Sequence, residues 1–142
     1  MATDTLTFGS FYFSTPAGTT LSTSTPAKAS GTTSSISLSG FTHASNRLTY
    51  TAATTRTFHA LATISMSSSG ATNSIVHLYK DGTLITGSSI ERKISTGGDI
   101  GAIAVSVTVS MAQNEYVEIW LENDDGDTMT IEAGTLVIKV LG

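Results

Sequence analysis

Cysteine is absent from the 142 residues. That excludes disulfides and thiolate metal sites and leaves the redox compartment open. Charge is scarce too: Asp, Glu, Lys and Arg make up 13% of the chain, about half the usual share. Only Arg92 and Lys93 stand side by side as cations, and the net charge is −4. A backbone-tracking basic patch is thereby excluded, so no nucleic-acid partner is expected. No apolar run approaches the roughly 20 residues a membrane-spanning helix needs, so no membrane insertion is expected. The opening Met1–Thr7 has no basic stretch followed by an apolar one, which predicts a product made and kept, or assembled, in a cytoplasm. Glu, Lys, Gln and Arg are too few to sustain long helices.

What fills the chain instead is Ser and Thr, about a third of all residues. Threonine suits strands and serine suits turns, so the composition is all-β. The length fits one domain with a sizeable core.

The most ordered pattern is Asn114–Leu141. Val117, Ile119 and Leu121 alternate with Tyr116, Glu118 and Trp120, the period of a strand with one face in the core. Leu136, Ile138 and Val140 repeat it. The acidic stretch Glu122–Asp127 between them reads as a turn, so the two runs are expected to form an antiparallel pair.

Upstream, alternation predicts strands over Arg47–Thr51, Thr57–Met66, Ser74–Asp81, Ser88–Ile94 and Ala102–Met111. Asp81-Gly82 is a strong two-residue hairpin signal leading into Thr83–Ile85. Residues 1–40 hold two shorter runs, Leu6–Phe13 and Ser35–Leu38, with Pro16 and Pro26 as turn or edge punctuation. The rings Phe8, Phe11, Tyr12 and Phe13 either pack on the domain's own core or form an arm that docks on a neighbour. Short strands at regular spacing without helical periods predict a sandwich or barrel.

Chemistry-bearing motifs are few. His43, His59 and His77 are scattered singly, without metal-ligand spacing; His59 and His77 are placed on one sheet face. No serine sits in Gly-x-Ser-x-Gly, so no triad has an anchor. Gly97-Gly98-Asp99-Ile100-Gly101 precedes no helix and is a loop. Glu122–Asp127 offers several oxygens to calcium, but turns collect Asp, Asn and Gly for backbone reasons alone. No enzyme activity, cofactor or metal is expected.

Laid out in order, Thr57-Phe58-His59-Ala60-Leu61-Ala62, then His77-Leu78-Tyr79-Lys80-Asp81-Gly82, then Asn114-Glu115-Tyr116-Val117-Glu118-Ile119 resemble three successive motifs of the tumour necrosis factor and complement globular-head domains. In the third, Asn-Glu stands where that family has Gly-Asp. The resemblance covers about Phe41 to Leu141 and implies an antiparallel jelly-roll β-sandwich that assembles as a homotrimer. It implies a threefold axis near the strand Tyr116–Leu121, with Tyr116, Glu118 and Trp120 as interface residues. The Ser/Thr/Gly-rich style is similar to jelly rolls of tailed-bacteriophage virions. That likeness implies a non-enzymatic virion protein, a capsid decoration, head spike or fibre module, with other capsid or tail proteins as partners. On this reading residues 1–30 are an N-terminal arm or first-strand region, attached to the particle through Phe8, Phe11, Tyr12 and Phe13, and residues 31–142 are the jelly roll. The alternative is the receptor- or carbohydrate-binding head of a tail fibre.

Overall fold

A computed structural model describes residues 6–142 and contains thirteen strands and no helix among them. They are β1 Phe8–Phe13, β2 Ala17–Thr20, β3 Ala27–Lys28, β4 Thr33–Ser39, β5 Phe41–Ala44, β6 Arg47–Tyr50 and β7 Arg56–Ser68. The remainder are β8 Thr72–Lys80, β9 Thr83–Leu84, β10 Ile90–Ile94, β11 Gly101–Met111, β12 Tyr116–Asn123 and β13 Thr128–Val140.

They form two antiparallel sheets. The first runs β11-β7-β13-β1-β4, with β2 extending the free edge of β13; the second runs β10-β8-β12-β6-β5, with β3 on β12 and β9 on β8. Every alternating face read from the sequence lands inward where expected. Phe58, Ala60, Ala62, Ile64 and Met66 are all buried, as are Val117, Ile119, Leu121, Leu136 and Ile138. Between the sheets, Phe41, Tyr50 and Phe58 meet with centroids 4.9–5.5 Å apart. Aromatic packing of this kind adds to plain area burial and locks the two layers together.

The expected antiparallel pair between β12 and β13 does not exist. β12 pairs with β8, β6 and β3, whereas β13 pairs with β7, β1 and β2. The acidic turn therefore carries the chain from one sheet to the other, and each strand is central in its own layer. Alternation reports which face is buried but carries no information about the partner strand.

The N-terminal region is also part of the body. β1 lies between β13 and β4, so no boundary falls at residue 30 among the described residues. Gly9 shows how tightly β1 is held: a Cβ there would come within 2.9 Å of Phe41 Cβ. Two turns follow their local chemistry. Asp81 and Gly82 both take positive φ, as do Ser45 and Asn46, each pair giving the two-residue turn that matches strand twist. Asn114, where the resembling family has glycine, sits at φ 71°, a conformation asparagine tolerates.

Candidate functional surfaces

The two outer faces differ in chemistry. On the second sheet, β12 turns Tyr116, Glu118, Trp120 and Glu122 outward because Val117, Ile119 and Leu121 are held in the core. Register places Arg47 and Tyr79 beside Glu118, and Lys28 and His77 beside Trp120. Glu118 Oε2 lies 2.8 Å from both Lys28 Nζ and Arg47 Nη2, and Trp120 Nε1 donates to its other oxygen at 3.2 Å. Burial opposes ionisation of this carboxyl. The hydrogen bonds from Lys28 and Trp120, with the charges of Lys28 and Arg47, outweigh that and hold its pKa below the ordinary range. Arg47 also lies 3.8 Å over the Tyr116 ring, a cation–π contact.

Along the same face, His77 bridges Ser89 Oγ at 2.7 Å and Glu122 Oε1 at 2.8 Å. Burial, with the Glu122 charge behind it, raises the pKa of the neighbouring Tyr79. His59 belongs to the other sheet, so the two histidines do not share a face. His77 is matched with a carboxylate and a hydroxyl that no local spacing reveals, 45 and 12 positions away.

The first sheet presents the opposite character. Its outward rows, read across β11, β7, β13 and β1, are Thr108–His59–Lys139–Phe8, Ser106–Leu61–Val137–Ser10 and Ala104–Thr63–Thr135–Tyr12. Charged side chains stand only at the ends of this set of rows, Lys139 toward one and Glu132 toward the other. Between them lies a neutral surface of Leu61, Val137 and small side chains. A shallow hollow of about 280 Å³, lined by Thr63, Ser65, Ala102, Ala133, Gly134 and Thr135, indents it beside the bulge in β13.

The expected attachment rings are divided by the pleat. Phe11 and Phe13 are core residues, 0% and 6% exposed, so they are unavailable to another protein. Phe8 is half-buried and only Tyr12 stands out, 40% exposed.

In the acidic turn the oxygens diverge. Asn123 spends its side chain on the turn itself, accepting from Gly126 N and Asp127 N and donating to Asp127 O at 2.8–3.2 Å. Asp124 accepts from Asn73, Asp127 from Ser69, and Glu122 holds His77. Among the described residues no group of three or more His, Asp or Glu is gathered as a metal site.

No family model and no curated protein sequence matches the chain. Solved structures do match along nearly all of it. Murine APRIL at pH 5.0 superposes with a TM-score of 0.62 at 6% identity, covering 95% of this chain and 99% of the other. The Eiger TNF of S. frugiperda gives 0.63 at 12% identity, covering 96% and 93%. The vertex protein P5 of phage PRD1 gives 0.62 at 11%, covering 94% and 95%. Thirteen strands in two antiparallel sheets with this topology form a jelly roll of the tumour necrosis factor type.

Proposed function

We propose that the chain is a non-enzymatic structural protein of a bacteriophage virion, a homotrimeric capsid decoration, head spike or fibre module. The observation that carries the assembly is the neutral outer face of β11, β7, β13 and β1. Self-association about an axis brings identical side chains close together. A face whose centre holds Leu61, Val137, Ala104, Ser106 and Thr63 does so without repulsion or costly desolvation of charge. The Tyr116–Glu118–Trp120 face suits this poorly, because its charges and rings are already matched within one chain. The likeness to the PRD1 vertex protein supports the virion setting, with other capsid or tail proteins as partners.

The carbohydrate-binding alternative needs an exposed ring face on which a sugar can stack. Tyr79 and Trp120 use ring faces on each other, and the loops Gly87–Ser89, Ser95–Gly101 and Glu122–Asp127 carry no aromatic residue.

The test is the mass in solution by light scattering coupled to size exclusion across a concentration series. A stable mass of three chains is expected. A monomer at every concentration would remove the trimer.

A further inference from the structure

The second sheet's outer face brings Ser89, His77 and Glu122 into one line. Ser89 Oγ is 2.7 Å from His77 Nδ1, and His77 Nε2 is 2.8 Å from Glu122 Oε1. The carboxylate fixes the direction of one bond, and the neutral form of the ring fixes the other. An ionised Glu122 can only accept, so Nε2 carries the ring proton and donates it. In its neutral form the imidazole has a single N–H, and Nδ1 then presents a lone pair to which Ser89 donates its hydroxyl proton. A weak nucleophile hydrogen-bonded to a base that is oriented by a third group is the arrangement that activates hydroxyls for acyl transfer.

Burial suits the roles. His77 is 6% exposed, walled by the Tyr79 ring edge-on at 5.9 Å and by Trp120 opposite it in register, while Ser89 is exposed. The preceding residue anchors the nucleophile. Ser88 is fully buried; its hydroxyl oxygen accepts from Leu78 N at 3.1 Å, and its single proton lies between Leu78 O and Ile85 O, 2.9 and 2.7 Å away. This pins the end of the loop on β8 and holds Ser89 opposite His77, the fixed support a reactive group needs.

We propose that Ser89 is a base-activated nucleophile that takes an acyl group from small activated esters, one per chain. Ser89 Oγ bonds to the ester carbonyl carbon as its proton passes to His77 Nδ1 and the carbonyl π pair moves to oxygen. Glu122 offsets the imidazolium charge. Collapse of the tetrahedral adduct breaks the bond to the leaving alkoxide, which takes the proton from Nδ1. The products are an O-acylserine and a free alcohol. The proposal is independent of the virion role.

The full chain is incubated with p-nitrophenyl acetate, and acetylation is followed by intact mass and peptide mapping. Ser89 should be acetylated about 100-fold faster than other exposed serines. Ser89→Ala should remove the fast phase. Glu122→Gln and His77→Gln should each slow it at least about tenfold, with circular dichroism showing the fold retained; if His77→Gln unfolds, Glu122→Gln decides. Acetylation of Ser89 no faster than its neighbours, or a rate unchanged in folded Glu122→Gln, would overturn the assignment.

Discussion

Trp120 lies flat against Tyr79, their ring centroids 4.1 Å apart and their planes 5° from parallel. With its indole N–H on Glu118, the one tryptophan of the chain is satisfied by its own subunit. Stacking of this kind adds to plain area burial and stiffens the sheet it stands on. The two outer faces therefore differ, one held by internal charge and stacking, the other neutral.

This division separates two substitutions. Leu61→Arg places a cation at the centre of the neutral face in every copy and should convert the proposed trimer to monomer without unfolding it. Trp120→Ala should leave the mass unchanged and lower stability by about 1–3 kcal/mol through the lost stack and packing. Light scattering and thermal melts read both. The reverse pattern would return the interface to Tyr116, Glu118 and Trp120.

Glu118 should make the fold acid-sensitive. Its pKa is depressed in the folded state, so its contribution is present above the unfolded carboxyl value of about 4.3 and is lost as pH falls through the lower folded value. Glu118→Gln leaves Lys28 and Arg47 facing a neutral amide; both are about a third exposed, which tempers the cost to about 1–3 kcal/mol at neutral pH. Denaturant titrations should show wild type and variant converging between about pH 5 and about pH 3. Parallel curves would refute the role.

Asn123 is fully buried and makes three hydrogen bonds across the turn that joins the sheets, while its carbonyl accepts Ser24 N at 2.8 Å. Asn123→Ala strands those turn groups, so a loss of about 2–4 kcal/mol is expected in chemical denaturation. A loss below about 1 kcal/mol would mean that water replaces the side chain.

Ser74 is the converse. Its hydroxyl is fully buried in the core face of β8 with no hydrogen-bond partner. Removing an unsatisfied buried group relieves its desolvation, so Ser74→Ala should be neutral or stabilising by up to about 1 kcal/mol. A fall in melting temperature would show that the hydroxyl has a partner, such as an internal water.

The all-β class, the inward residues of β7, β8, β11, β12 and β13, and the Asp81-Gly82 hairpin are legible in the residues alone. These are local properties: side-chain period follows the pleat, and turn type follows which residues tolerate positive φ. The short edge strands β2, β3 and β5 escape that reading, since two to four residues carry too little alternation to stand out. That β12 and β13 lie in different sheets, that Phe11 and Phe13 are core, and that Ser89, His77 and Glu122 meet emerges from the folded chain. Strand pairing is settled by which layers bury the most apolar surface together, a sum over the whole chain that no single segment contains.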